Sequence, residues 1–397
     1  MPHSVIDVVS TTDVFHTIKS NAQVTTLPAT HNVLRQDEEG NLQLRYDQDL
    51  PSLDDEPDKI LVRVAAVGLN PTDYKMPANF PKAGATGGCD FAGTVVQLGH
   101  QVQLDNRIHL GDRVSGAVHG SNRADPDTGA FAHFVKVPAS MIMRIPDTVS
   151  FQQAAALGGV GHGTVAQALW SSLGLTATPE RPAVSEEDAL PVLVYGGSTA
   201  TGTIAIQILR LSGLRPIAVC SPHNFALARK YGATAVFDYM SPSCGADIRA
   251  HTGNQLWHAL DCISDAQSAA ICYAALGRAG GHYVCLELQP DSVLAARRAV
   301  QPEFLMGYDM FGKGIDLPGA YGREPNPDRH ELGKAWYRTM EKLVGDGKIK
   351  FHPTTILDGR FDGILKGLAS LRKGEVSGTK LVVNMALDDG KRKTRIY

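Results

Sequence analysis

The chain has 397 residues, 43% of them hydrophobic and 20% charged, and a formal net charge of −3. That length and composition suit about two ordinary globular domains, and the charge gives no electrostatic case for nucleic acid. The start lacks a basic region followed by an apolar core, and no apolar run reaches the ~18 residues of a membrane span, so neither a signal peptide nor a transmembrane segment is expected.

Residues 1–30 are polar and irregular, an N-terminal extension with room for one strand. Leu42 to Tyr46 reads as a strand, Asp54 to Asp58 as an acidic turn, and Lys59 to Leu69 (KILVRVAAVGL) as an alternating strand. The run Gly68-Leu69-Asn70-Pro71-Thr72-Asp73 breaks that strand, and Thr72 or Asp73 can cap a short helix carrying Tyr74 and Lys75. Further strands are expected in 87–98, 110–116 and 129–137, each opened by glycine. Short strands between glycine turns predict a small β-barrel or curled antiparallel sheet. Ser150 to Leu157 starts a helix, and Thr164 to Leu173 continues helical. Thr176 to Leu190, with two prolines and the acids Glu186, Glu187 and Asp188, reads as a surface loop.

From Pro191 the pattern changes to alternating strand and helix, which implies a parallel sheet. Strands are expected at Val192–Tyr195, Ile217–Cys220, Ala235–Asp238, His258–Ile263 and His282–Leu286. Past Gln289 the alternation is lost, and 300–330 reads as Gly- and Pro-rich loop. Helices at Glu331–Val344 and Phe361–Arg372 and a strand at Lys380–Met385 close the chain. The basic stretch Lys391 to Arg395 is short and reads as a solvated end.

The stretch PVLVYGGSTATGTIAIQ (191–207) carries the strongest chemical signal. A buried strand, a glycine turn and a helix start in that order suit a pyrophosphate, because unpaired N–H groups and the helix dipole favour negative charge there. The same pattern also fits an ordinary strand-to-helix turn. The next strand ends in Ser221-Pro222-His223-Asn224. An acid at this place would bind the ribose hydroxyls of NAD; the hydroxyl, imidazole and amide found instead favour NADPH, and can at the same time cap the helix from about Phe225. The six cysteines (Cys89, Cys220, Cys244, Cys262, Cys272 and Cys285) are scattered without a C-x-x-C pair, which predicts reduced thiols and a cytoplasmic protein.

The pieces GLNPTDYKM (68–76), GGCDFAGTVVQLG (87–99), LGDRVSG (110–116) and QAAALGG (153–159) resemble the zinc-free quinone-oxidoreductase branch of the medium-chain dehydrogenase/reductase superfamily. The run 192–233, with FDY (237–239), ALDCI (259–263) and ALGRAGGHYVCL (275–286), closely resembles the trans-acting enoyl reductases of fungal polyketide pathways, the lovastatin type. The resemblance spans about 55–385. It implies an α/β fold, a GroES-like β-barrel catalytic domain plus a Rossmann-type doubly wound parallel-sheet NADPH-binding domain. The implied division is 1–165 for the catalytic domain, 166–305 for the NADPH-binding domain and 306–397 for a C-terminal return.

Zinc members of the superfamily place Cys where this chain has Asn70 and His-Glu where it has Cys89-Asp90, so no metal site is expected. Reduction of an enoyl thioester then needs donors for the enolate oxygen and a proton for Cα. The resemblance points to Lys75 and Thr72 as catalytic. It implies cofactor contacts from Thr72, Asp73, Lys75, Gly197, Ser198, Thr199, Ala200, Ser221, His223, Asn224, Tyr239, Leu286, Glu287, Val382 and Val383. Substrate contacts are implied from His162, Gly163, Thr164, Gly307, Tyr308, Met310 and Phe311. Thr199 stands where the superfamily has the middle glycine of the loop, a departure shared with the fungal enoyl reductases. The implied partner is a polyketide synthase, or a hybrid with a non-ribosomal peptide synthetase, acting through its acyl-carrier domain; Arg297, Arg298, Lys313 and Arg323 are candidates for docking it. Proline after the last strand, at Pro290 and Pro302, favours a monomer. Two other readings remain: a quinone or enone reductase acting on free small molecules, and a non-catalytic NADPH-binding protein of this fold.

Overall fold

The computed structural model describes residues 27–185 and 189–386. Glu186, Glu187, Asp188, the basic stretch 391–395 and nearly all of the N-terminal extension lie outside the described residues.

Among the described residues there are fifteen strands in chain order. They are β1 Thr30–Gln36, β2 Leu42–Asp49, β3 Lys59–Gly68, β4 Asp90–Leu98, β5 Arg113–Ala117, β6 Phe134–Pro138, β7 Ile142–Arg144 and β8 Pro191–Tyr195. They continue with β9 Arg215–Cys220, β10 Ala235–Asp238, β11 His258–Asp261, β12 Gly281–Cys285, β13 Val300–Phe304, β14 Thr354–Leu357 and β15 Lys380–Asn384. The first two form a hairpin ribbon of their own.

The alternating apolar run of β3 makes it the spine of the first sheet, whose order is β14-β15-β3-β4-β5-β7 with β6 beside β3. Register matters more here than the strand count. Gly68, the last residue of β3, lies opposite Asp90, the first of β4, and opposite Val382 of β15. The end of β3, the start of β4 and the middle of β15 therefore meet where the chain leaves β3 for Asn70. The sheet is antiparallel apart from the β14–β15 pair, which is parallel.

The second sheet is parallel throughout, in the order β10-β9-β8-β11-β12-β13. In sequence order that is 3-2-1-4-5-6, the doubly wound arrangement, with its reversal between β8 and β11. Ligand crevices form outside the carboxyl ends of strands at such a reversal. Its central strand β8 is fully buried, as its unbroken apolar run predicts.

Several elements depart from the sequence expectation. Residues 300–304, expected as loop, form β13 at the sheet edge, where two of five residues are exposed, two are part-buried and a proline is tolerated. β7 is three residues long and β14 is only part-buried, so neither shows a legible period. A short helix at His100–Asp105 was likewise not expected. The helix Thr72–Asn79 starts after Pro71 with no side-chain cap, in place of the expected cap by Thr72 or Asp73. Val160–Ala166 is α-helical and passes without a break into a π-helical turn at Gln167–Ser172.

The helix Ala200–Leu211 packs so closely on β8 that a Cβ at Gly202 would collide with the Gly196 carbonyl oxygen. Helix propensity favours alanine by ~1 kcal/mol, whereas forcing atoms into a packed site costs ~1–3 kcal/mol, at the upper end when the obstacle is backbone. Gly202→Ala should therefore lower the denaturation midpoint; an unchanged midpoint would show that turn and helix can separate at no cost.

Candidate functional site

A cleft of about 770 Å³ runs between the two sheets. Its first wall is the turn after β8. Gly196 adopts φ +77°, a conformation open to glycine, and turns the chain toward the helix. The Thr199 hydroxyl caps that helix, accepting from Gly202 N–H at 2.9 Å, and its carbonyl accepts Thr203 N–H. The two N–H groups before these belong to Ala200 and Thr201, which stand at the cleft wall with Gly196, Ser198 and Thr199. Gly197 faces β9 instead, where a Cβ would lie 2.7 Å from that of Ala218.

At the end of β9, Ser221 lines the cleft with Tyr239 from beyond β10. His223 and Asn224 sit behind that surface and gather a residue from far along the chain. The Asn224 amide donates to Ser198 Oγ at 3.3 Å and to Ser377 Oγ at 3.0 Å, and His223 Nε2 lies 3.2 Å from Ser377 Oγ. Ser377, which nothing in the sequence marked, thus completes a hydroxyl, amide and imidazole cluster from three segments.

The loop after β3 supplies a second wall. Thr72 Oγ1 is 2.9 Å from the Tyr308 hydroxyl, which is 3.5 Å from Cys89 Sγ and whose ring stacks on His119 at 3.8 Å. Burial, and next the neighbouring thiol, push the Tyr308 phenol well above its ordinary range, so it remains a donor. Burial pushes the Cys89 thiol up as well. Lys75 donates to Glu287 at 3.0 Å across the cleft. Burial works against the Glu287 charge, but the Tyr321 hydroxyl and the Lys75 ammonium together hold that carboxyl below its usual range. Leu286, Gly307, Met310, Phe311 and Thr164 also line the cleft.

Other predicted residues lie off it. Asp73 is buried with its carboxylate accepting Asn70 N–H at 2.7 Å. His162 is fully buried, edge-on to Tyr337, and burial pushes its imidazole down to about 4. Gly163 faces Met310, whose sulfur would lie 2.6 Å from an added Cβ. Val382 and Val383 are fully buried in β15 between β14 and β3; Lys380 and Leu381 of that strand reach the cleft instead. Arg297 and Arg323 bond to backbone carbonyls, Arg297 to those of Tyr273, Leu276 and Gly277, and Arg323 to those of Ala320, Gly322 and Phe304.

Beneath Asn70 lies a group that sequence reading did not assemble. Asp90 is 0% exposed, and its Oδ2 accepts Lys380 Nζ at 3.1 Å and the Asn70 amide at 2.9 Å. Its Oδ1 accepts the N–H groups of Gly159 and Val160 at 2.8 and 2.9 Å. Lys380 also donates to Asn70 Oδ1. Among the described residues, no group of three or more His, Cys, Asp or Glu side chains could hold a metal ion.

Comparison with known proteins agrees with this architecture. Residues 56–147 match the alcohol dehydrogenase GroES-like domain, and residues 200–302 match the zinc-binding dehydrogenase family. Trans-enoyl reductase ccsC of Aspergillus clavatus is 45% identical over 362 residues, 91% of this chain and 98% of that protein. Trans-enoyl reductase poxP of Penicillium oxalicum is 47% identical over 90% of this chain and 93% of its own length. Trans-enoyl reductase mycC of Thermothelomyces thermophilus is 48% identical over 86% and 94%. Among solved structures, CurK enoyl reductase aligns with TM-score 0.66 and 19% identity over 90% of this chain and 100% of its own. The mycobacterial protein Rv1454c complexed with NADPH aligns with TM-score 0.64 and 19% identity over 89% and 100%. These two show the fold. No helix among the described residues is long and apolar enough to cross a membrane.

The Lys380–Asp90 pair has a clear signature. Removing one partner of a buried pair strands the other charge and costs ~3–5 kcal/mol. Lys380→Met should lose that much in urea denaturation, and Lys380→Met with Asp90→Asn should lose less than the sum of the single changes. Additive losses would mean that the two side chains act independently.

Asp73 makes a pH prediction. Burial, opposed by the Asn70 N–H bond and assisted by the Asp90 charge, raises its carboxyl to about 7. The folded protein then holds a proton that the unfolded chain has lost, so this contribution to stability falls as pH rises from about 4 to about 7. Asp73→Asn should flatten thermal stability over that window relative to the unaltered protein; parallel curves for the two would show that Asp73 is already ionised.

Proposed function

Because the chain belongs to the trans-enoyl reductases of the medium-chain dehydrogenase/reductase superfamily, we propose that it uses NADPH to reduce an α,β-unsaturated polyketide thioester held on the acyl-carrier domain of a separate synthase, or of a synthase–peptide synthetase hybrid. The observation that carries this reading is the meeting in one cleft of Lys75, Thr72 and Tyr308 with the glycine turn and the acid-free end of β9.

The residues present fit a dinucleotide phosphate. At the turn, helix N–H groups stand at a wall kept close by glycine. Ser198, Ser221, His223, Asn224 and Ser377 offer hydrogen-bonding groups where a ribose phosphate would sit, with Tyr239 beside them. Leu286 and Glu287 border the nicotinamide in this reading. When bound, the reduced nicotinamide supplies a hydride for Cβ of the enoyl group.

The chain's own part is charge control and enclosure. The Tyr308 hydroxyl can donate to Thr72 Oγ1, which leaves the threonine proton free for the thioester oxygen as negative charge collects there. Lys75 faces the same space as a cation able to hold that charge or to protonate Cα. Met310 and Phe311, with Phe80 and Phe304, make an apolar wall suited to an acyl chain. Residues up to 165 and from 306 onward form the catalytic part, and 166–305 the cofactor part. Pro302 and the tie from Glu303 to Arg329 and Ser172 on β13 protect the sheet edge, which favours a monomer. Arg298 and Lys313 remain the candidates for carrier docking.

The test is turnover of an α-methyl enoyl pantetheine thioester, followed by loss of reduced-cofactor absorbance, with NADH and a free quinone alongside. NADPH should be consumed with a saturated product, NADH and quinone should react slowly, and Lys75→Met should cut kcat by ~10²–10⁴. Turnover of quinone without turnover of thioester would sink the reading.

A further inference from the structure

Lys75 is held by more than proximity. Glu287 uses both carboxylate oxygens, Oε2 for the Lys75 ammonium at 3.0 Å and Oε1 for the Tyr321 hydroxyl at 2.5 Å. The three side chains come from three separate segments: the helix Thr72–Asn79, the loop after β12 and the short helical turn Gly319–Tyr321. Tyr321 is fixed in its turn. Its ring meets Phe80 at 5.0 Å and Phe304 at 5.4 Å, both edge-to-face. The Arg323 guanidinium closes the far side of the Phe304 ring at 5.3 Å.

A lysine side chain on a four-carbon stem samples many rotamers unless something selects one. Here the selection has two stages, a carboxylate that takes the ammonium and a phenol that stops the carboxylate from turning away. We infer that Glu287 and Tyr321 are positioning residues for Lys75, fixing its ammonium as the acid that protonates Cα of the reduced thioester. This rests on the role proposed for Lys75 above. In the step itself, the carbon–carbon π pair of the enolate takes a proton from Nζ. An oxygen lone pair closes to re-form the thioester carbonyl, and the neutral amine regains its proton from water.

Few other ionisable groups face the trio. Burial, and next the charge of Asp261, push the Cys285 thiol at the end of β12 up to about 12, so it stays neutral. Asp73, on the same helix as Lys75, gives its carboxylate to Asn70 N–H, and Tyr308 is bonded to Thr72. Arg323 spends its guanidinium on backbone carbonyls. Glu287 is thus the charged group bonded to the Lys75 ammonium.

The experiment compares pH profiles of kcat and kcat/KM for the unaltered protein, Glu287→Gln, Tyr321→Phe and Lys75→Met, with NADPH binding followed by fluorescence. A carboxylate bonded to an ammonium favours its charged form. Glu287→Gln should therefore move the basic limb to lower pH, and Tyr321→Phe should move it the same way by less, with both variants still binding NADPH. A basic limb unmoved by Glu287→Gln, or a Tyr321→Phe profile identical to that of the unaltered protein, overturns the inference alone. A limb that persists in Lys75→Met overturns the role of Lys75 and this inference with it.

Discussion

The cleft depends on a buried ion pair. Asp90 and Lys380 come from strands separated by most of the sequence, and only the register of β4, β3 and β15 brings their ends together. Burying either charge alone would be strongly unfavourable. The structure meets that demand by giving Asp90 four donors, the Lys380 ammonium, the Asn70 amide and the N–H groups of Gly159 and Val160. Each partner belongs to a different piece of the cleft. Asn70 begins the loop that carries Thr72 and Lys75. Gly159 and Val160 begin the helix that presents Thr164. One carboxylate therefore ties the loop after β3 to the start of the helix Val160–Ala166.

Bonds across the cleft are fewer and more exposed. The Lys75–Glu287 contact joins the first sheet's loop to the end of β12, with side-chain exposures of 40% and 27%. An ion pair so placed is worth less than a buried one and opens more readily. The buried anchor lies at the foot of the cleft and the more solvated contact at its reacting surface. That is the order in which a site can admit a substrate without losing its shape.

Periodicity carried much of this into the sequence. The strands β8 to β12 and the helix after the glycine turn follow from apolar runs and glycine placement within the chain, whereas the capping of that helix by Thr199 does not. The GroES-like and Rossmann-type halves follow from the same patterns and from the family motifs. What was illegible depends on tertiary contact. β13 alternates poorly because it is an exposed edge. Ser377 gains its meaning from Asn224, 153 residues earlier. Along β15, the family resemblance named the valines as cofactor contacts. Yet Val382 and Val383 are packed between neighbouring strands, and the strand reaches the cleft through Lys380 and Leu381. The resemblance also implied a substrate contact from His162, whereas here its ring is enclosed beside Tyr337.

The two lysines of the cleft show how one side-chain type comes to serve two ends. An ammonium has three N–H donors. Lys380 is 8% exposed and gives two of them to Asn70 and Asp90. Its charge is spent on holding the walls, and whatever reaches a ligand from it is a field softened by the adjacent carboxylate. Lys75 is 40% exposed and has one hydrogen-bonded partner among the described residues, Glu287. Two donors remain to it on the cleft side, on a charge that the carboxylate keeps in place. Burial and partner count separate the roles: the lysine with every neighbour satisfied builds the site, and the one with donors to spare can meet a substrate.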